Sequence, residues 1–542
     1  MVAKCWKLLT LFLDTSHLPI QALADIETHS FSRDFESKDM PMKHPETEAF
    51  IIEFQQNLRA VLRDNPEIET INHIEGLPHH FLDQILAPDP LSVFIPSEYG
   101  GRGDHPVHCL SMLEAASYES LAVGLMMGIS GSLFLEPVGK YGQEEAKGKI
   151  FRKFLNNSKV GGLMITEPDF GTDALSMRTS YSASDSEYSL KGSKHWGGLT
   201  GLADFWLVTA RKEKKSGNLA RDIDLFIVEQ SEPDQKIEVE EYYHKLGLFL
   251  IPYGLNKIDI KVPHSSRLNP STSGVKLMMD LLHRSRLRLS GIGLGFIKRI
   301  LDEAIEHCQQ RYVGGKSLLA YDQVQHRLSQ LQAWYTVNSA ICLYASRVSG
   351  VTHDLTSFGL QANAAKAVVT DMMQEAAQAL LQLTGANGYR RDHVAGRAIA
   401  DSRPFQIFEG SNDVMYSQIA DTILNMMTKK KQANLFAFLS SFVLTENIAA
   451  SYKHLLNFKL DQEPIQRVKV ALGKVVARLI TTEFTCDLRA TGFRADLIDN
   501  AIQVVGNTLA EQVASITSLL PVQIIEDYRE GSDWRLSGLS KV

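Results

Sequence analysis

The sequence predicts an α+β fold of several domains: a helical region, a middle β region, a helix bundle and an additional helical region at the end. Three observations predict it. Apolar residues recur at helical spacing through the first part of the chain. Short alternating runs with turn signals between them then take over, and helical spacing returns near Thr272 and continues to the C-terminus. The 542 residues are enough for two to four domains, and 44% hydrophobic content is ordinary for a chain with a large buried core.

Residues 1–45 read as a variable leader ending in a polar stretch. The apolar run from Leu8 to Leu13 is interrupted by Thr10 and is short for the core of a secretory signal. Residues 46–160 read as helical, because Phe50, Phe54, Leu58 and Leu62 fall at four-residue steps on one face. The stretch EYGGRGDHP, with Gly100, Gly101, Gly103 and Pro106, breaks that pattern with a turn. Residues 161–270 read as a β domain from runs such as DFWLVTAR, DIDLFIVEQ and NKIDIKVP. Residues 271–428 form the helix bundle. TKKKQAN, around Lys429 to Lys431, is a hinge before the last helical region, residues 429–542, whose runs NLFAFLSSFVL and ALGKVVARLITTEF suit packing on a core or between subunits.

Net charge is −7, from 56 basic and 63 acidic residues, so there is no electrostatic bias toward nucleic acid or an anionic membrane. Cys5, Cys109, Cys308, Cys342 and Cys486 are odd in number, scattered and without a CxxC pair. That argues against a disulfide framework and a zinc cluster and favours a reducing compartment, with the cytoplasm as the expected location and no metal expected. No uninterrupted run of about 18 apolar residues suggests a membrane span.

Five stretches carry candidate chemistry. ITEPDFGTD (165–173) offers hydroxyls and backbone amides in a loop shaped by Gly and Pro, suited to a phosphate or a flavin edge, or simply to a turn into a strand. Lys194-His195-Trp196-Gly197-Gly198 sets a large aromatic beside bare backbone that a planar ring can approach, or forms a hairpin corner. QLTGANGY (382–389) ends a helical run in small residues, as a ligand contact or a glycine cap. Phe408-Glu409-Gly410-Ser411-Asn412-Asp413 places a carboxylate between an aromatic and a glycine, where a raised pKa would suit a base. Capping of the next helix is the plainer alternative. A helix beginning near Leu281 has a thin section at Ser290, Gly291, Gly293 and Gly295 after the basic residues Arg284, Arg286 and Arg288. It serves either helix packing or a slot for a slender ligand chain.

The order and spacing of PSEYGG (96–101), ITEPDFGTD, LKGSKHW, KLG then KIDIKVP, CQQR then VQHRL, QLTGANGY and IFEGSND resemble the acyl-CoA dehydrogenases over about residues 46–428. The resemblance implies an N-terminal α-helical domain, a middle β-barrel or sandwich and a C-terminal four-helix bundle enclosing FAD, with the last helical region added. It also implies FAD-dependent α,β-dehydrogenation of an acyl thioester, carried by CoA or acyl-carrier protein, to the trans-2-enoyl product. Glu409 would be the base, with hydride passing to flavin N5. Flavin contacts would come from Leu163, Ile165, Thr166, Thr172, Trp196, Gly197, Gly198, Arg311, Gln382, Gly385, Ala386, Ser411 and Asp413. Substrate contacts would come from Thr172, His283, Arg286, Phe408 and Gly410, with Arg286 near the acyl carrier group. The implied partners are an electron-transfer flavoprotein and further copies of the chain, as a homodimer or homotetramer.

The sequence departs from the family pattern at four places. Gly198 stands where a threonine near flavin N5 is usual, Tyr312-Val313-Gly314-Gly315 replaces a Phe-Gly after the arginine, Asp322 replaces a glutamine, and His283 replaces an aspartate before the substrate arginine. Lost bulk at Gly198 suggests space for oxygen. An acyl-CoA oxidase and a non-catalytic acyl-thioester or flavin-binding protein are therefore the alternatives, and a membrane-surface role for the tail is a further one.

Overall fold

In the computed structural model the described residues are 45–155, 157–518 and 521–535. The leader up to residue 44, with Cys5, lies outside them.

The first region holds α1 (Pro45–Asp64), α2 (His79–Leu86), α3 (Pro106–Glu119), α4 (Leu121–Ser130), α5 (Glu136–Tyr141) and α6 (Glu144–Phe154). The four-residue stripe of α1 is the face that packs: Phe50, Phe54 and Leu58 are buried. Ser120 starts α4 because its hydroxyl accepts the Val123 amide at 3.3 Å. A π-turn at Gly131–Leu135 joins α4 to α5, making an apolar helical stretch long enough to cross a membrane. Nearly all of that stretch is buried inside the fold, so it is a core helix.

The middle region is one curled seven-stranded sheet. Its strands are β1 (Gly161–Met164), β2 (Ser180–Ala183), β3 (Glu187–His195), β4 (Phe205–Lys212), β5 (Asp224–Glu229), β6 (Glu238–Tyr242) and β7 (Gly254–Pro263). The order is β1-β4-β2-β3-β7-β6, with β5 also on β4. β4 pairs in parallel with β1 and β2, and the remaining pairs are antiparallel. β7 alternates buried and exposed residues, so one of its faces meets solvent, while β5 is buried throughout.

The third region is built on α7 (Gly274–Gln310), α8 (Asp322–Val348), α9 (Gly359–Thr384) and α11 (Asn412–Lys429), with the short α10 (Val394–Ser402) between the last two. α7 begins at Gly274, seven residues before the start read from the sequence. The carboxylate of Asp222 receives the Gly274 and Val275 amides and Ser273 receives that of Lys276, a cap assembled mostly from a distant residue. The thin section of α7 serves packing. A β-carbon on Gly295 would come within 2.1 Å of the Glu114 carbonyl, and one on Gly291 within 2.8 Å of the Leu110 carbonyl, so α3 lies directly on it. On its other side, Gly293 would meet Val369 of α9 at 2.3 Å. Arg284 and Arg288 form no basic mouth, since both are buried in pairs with Asp280 and Glu136.

α11 ends at Lys429, and Lys431 adopts a φ of 52°. The additional region then adds α12 (Leu435–Leu439), α13 (Lys453–Leu456), α14 (Gln466–Ala490) and α15 (Ala495–Thr517). α14 lies against α11 so closely that a β-carbon on Gly473 would sit 1.9 Å from the Tyr416 carbonyl, and Phe484 stacks on Tyr344 of α8 at 4.0 Å. Leu435, Phe438, Leu439 and Phe442 of the apolar run are buried.

Candidate active site

A cavity of about 290 Å³ opens where the sheet meets α4, α7 and the turn before α11. The sheet side supplies Leu163, Ile165, Thr166, Thr172 and the segment His195 to Gly198. α4 supplies Leu125 and Ile129, and α7 supplies Met278, Met279, Leu282, His283 and Arg286. Phe408, Glu409 and Gly410 form the remaining wall with Val414, Met415 and Gln418.

The loop after β1 is held by a buried ion pair. Lys194 is wholly buried and donates to Glu167 at 2.9 Å, to the Ile165 carbonyl at 3.0 Å and to Thr209 at 3.0 Å. Glu167 also accepts the amides of Arg178 and Thr179. Burial pushes Lys194 down to about 8, and Glu167 opposes that shift. The pair therefore ties Thr166 to the end of β3. Beyond it, Trp196 takes a φ of 56°, is 52% exposed and lies against Tyr243 at 4.7 Å. A β-carbon on Gly197 would meet only ordinary contacts or slightly closer, whereas one on Gly198 would stand 2.7 Å from Ile129 Cδ1. Ile129 thus narrows the space beside Gly198 that the sequence suggested was open.

Glu409 sits on a left-handed turn, φ 54°, followed by Gly410 at φ 95°. A non-glycine residue there is strained and persists only where neighbours hold it. Arg286 does so, donating from Nε at 3.2 Å and Nη2 at 2.8 Å to the Glu409 carbonyl, while its Nη1 reaches Asn363 at 2.7 Å. Lys366 donates to the Gly410 carbonyl at 2.8 Å. The Glu409 side chain accepts from Ser285 at 2.9 Å through Oε1, and Oε2 is buried without a hydrogen-bond partner. Burial raises the carboxyl above its ordinary value, while Arg286, Ser285 and Lys366 pull it back. His283 is buried and neutral, pushed down to about 4 by burial, and bonds the Leu355 carbonyl at 2.7 Å.

Twelve of the residues named from the sequence meet around this cavity: Leu163, Ile165, Thr166, Thr172, Trp196, Gly197, Gly198, His283, Arg286, Phe408, Glu409 and Gly410. Arg286 faces it while its guanidinium serves the Glu409 turn. Six do not line it. Arg311, Gln382, Gly385 and Ala386 are exposed where α7 and α9 end, with His307 of α7 close to both Arg311 and Leu383. Ser411 immediately precedes α11, and Asp413 is exposed in its first turn. Glu409 caps no helix. Sequence reasoning missed Lys366, Asn363 and Ile129. Lys366 alone carried a signal, as a cation within the small apolar run Ala362 to Val369.

The N-terminal, middle and C-terminal domain models of the acyl-CoA dehydrogenase family match residues 46–158, 162–255 and 272–424. An acyl-CoA dehydrogenase of Bacillus subtilis is 26% identical over 385 residues, covering 68% of this chain and 98% of that protein. A short-chain-specific acyl-CoA dehydrogenase of Megasphaera elsdenii is 28% identical over 360 residues, covering 64% of this chain and 91% of that one. A solved Bacillus anthracis acyl-CoA dehydrogenase complexed with FAD shares the fold at a TM-score of 0.71 and 18% identity, over 90% of each chain. With all three domain models matched in order around this cavity, the chain belongs to the acyl-CoA dehydrogenase family of FAD-dependent oxidoreductases.

Proposed function

We propose that this chain removes hydrogen from the α and β carbons of an acyl thioester, with Glu409 taking the α proton. One observation carries the reading: a carboxylate oxygen, Glu409 Oε2, is buried without a partner in the wall of a largely apolar cavity. The neighbouring motif residues fit an FAD ring. Trp196 offers an exposed aromatic surface, Gly197 leaves the backbone bare, and Thr166 and Thr172 bring hydroxyls to the same edge. FAD, when bound there, supplies the two-electron acceptor for the hydrogen leaving the β carbon.

The chain's own residues manage the proton. An α C–H beside a thioester is a weak acid, so its base must bind a proton more tightly than an exposed carboxylate does. Burial raises Glu409 in that direction, and entry of an acyl chain between Met278, Leu282, Leu125 and Ile129 removes further water. Ser285 and Arg286 fix the carboxyl and its turn, so no reorientation is needed when the proton moves.

Ile129 against Gly198 favours the dehydrogenase over the oxidase, because its methyl group narrows the space that the missing threonine leaves for oxygen. An electron-transfer flavoprotein is then the fitting acceptor. The exposed cluster of Arg311, Gln382, Gly385 and Ala386 suits contribution to a neighbouring copy's flavin site, in a homodimer or homotetramer. The test is Glu409→Gln in the FAD-loaded protein, mixed anaerobically with butyryl-, octanoyl- and palmitoyl-CoA and with an acyl-carrier thioester. Flavin bleaching should slow by orders of magnitude while FAD stays bound. Bleaching at the unmodified rate removes Glu409 from the role.

A further inference from the structure

We propose that Lys366 is a positioning residue for Glu409: its buried ammonium locks the Glu409–Gly410 turn and holds the carboxylate in its charged, proton-accepting form. This rests on Glu409 being the base. Lys366 is 0% exposed, on the face of α9 that looks toward the turn. Its contacts are the Gly410 carbonyl at 2.8 Å and Asn412 Oδ1 at 2.9 Å, both neutral. Burying an ammonium among neutral partners is costly, and a purely structural filler would be better served by an apolar side chain. Asn412 is itself fixed, donating to Asp371 at 2.7 Å, Thr370 at 3.0 Å and the Ala367 carbonyl at 3.2 Å. Asp371 in turn receives Tyr416 at 2.7 Å and Gln406 at 2.6 Å, so the anchor is rigid on its far side.

Two consecutive carbonyls of a strained turn are therefore each gripped by a cation from a different helix: Glu409 by Arg286 of α7, Gly410 by Lys366 of α9. The charged groups acting on this pair are Arg286 from α7, Asp371 from α9 and Glu409 itself, with neutral His283 beyond Arg286. Burial pushes Lys366 down to about 7, Glu409 and Asp371 support its charge, and Arg286 opposes it. Lys366 reciprocally lowers Glu409. Discharging Lys366 should thus raise the base's pKa and weaken its hold on the turn.

The experiment compares the pH dependence of anaerobic flavin reduction by octanoyl-CoA in the FAD-loaded full chain and in Lys366→Met, Lys366→Arg, Asp371→Asn and Glu409→Gln. Lys366→Met should move the acid limb to higher pH, the direction in which losing a nearby opposite charge acts on a carboxyl. Lys366→Arg should restore it, and Asp371→Asn, which withdraws support from the Lys366 charge, should shift it the same way by less. An unmoved acid limb in soluble, FAD-loaded Lys366→Met overturns the proposal. If Lys366→Met does not fold, an unmoved limb in Asp371→Asn does so instead. Loss of reduction in Glu409→Gln beside an unmoved limb rejects only the role of Lys366, whereas wild-type reduction in Glu409→Gln rejects the base itself.

Discussion

Arg286 spends two of its donors on one backbone atom, the carbonyl of Glu409, at 2.8 and 3.2 Å. The guanidinium is buried deeply enough that burial lowers it to about 10, opposed by the Glu409 carboxylate. Its fork also reaches Asn363 at 2.7 Å, so three nitrogens are committed at once. A lysine ammonium keeps the charge and loses that geometry. Arg286→Lys is therefore expected to fold and bind FAD but to lose roughly tenfold to a few hundredfold in kcat/KM, the equivalent of ~1.5–3 kcal/mol for hydrogen bonds to a charged group. Steady-state kinetics with an artificial electron acceptor reads this directly, and activity within twofold of wild type would show the clamp to be dispensable.

Gly198 and Ile129 form a second matched pair. Restoring the family's threonine at 198 brings its β-carbon to 2.7 Å from Ile129 Cδ1, the movable end of a side chain, so the cost lies at the low end of overpacking, about 1 kcal/mol. Gly198→Thr should lower Tm, and adding Ile129→Ala should recover part of the loss, so the double variant is more stable than the two single effects predict. Ile129→Ala alone empties the site and should increase hydrogen peroxide release during turnover in air. Additive melting shifts would mean that the two side chains do not compete for the same space.

The contrast between these pairs shows what could be read in advance. That Glu409, Trp196, Thr166 and Thr172 gather at one cavity was legible because each sits in a short local motif. The four-residue stripe of α1 and the alternation of β7 were legible because periodicity is local too. Ile129 and Lys366 were not, since each makes its contact with a residue about 70 or 44 positions away that only the tertiary fold brings near. The same limit explains α7. Its first turn is capped by Asp222 from the β domain, and its glycine-rich section gives no sign by itself of whether a ligand or α3 lies upon it.

Arg288 and Glu136 meet at 2.5 Å with both side chains buried, linking α7 to α5. Asp104 is nearby with Oδ2 buried and unpartnered, as is Glu136 Oε2, and burial together with Glu136 raises Asp104 well above the usual carboxylate range. Arg288→Met strands a buried carboxylate and should cost ~3–5 kcal/mol, seen as a large drop in Tm. The double replacement Arg288→Met with Glu136→Leu removes both charges and should recover most of it. A double variant as unstable as Arg288→Met would assign the loss to packing around residue 288 and not to the orphaned charge.

Ser285 gives a pH test that leaves every charge in place. Its hydroxyl donates to Glu409 Oε1 at 2.9 Å and so favours the ionised carboxyl, against burial, which raises it above 4.5. Ser285→Ala removes only that donor. The Glu409 pKa must then rise, and because the proposed base works deprotonated, the acid limb of kcat/KM must move to higher pH. A hydrogen bond to a charged group worth ~1.5–3 kcal/mol corresponds to roughly one to two pH units. The sign for stability is the opposite of that for rate. A carboxyl whose folded pKa lies above its unfolded value stabilises the fold most at low pH, and that contribution is lost as pH rises through the folded pKa. Ser285→Ala should therefore lose more stability at pH 8 than at pH 5, while its activity approaches wild type only at the alkaline end. An acid limb that stays in place would mean that Ser285 does not bond the charged form of Glu409 in solution.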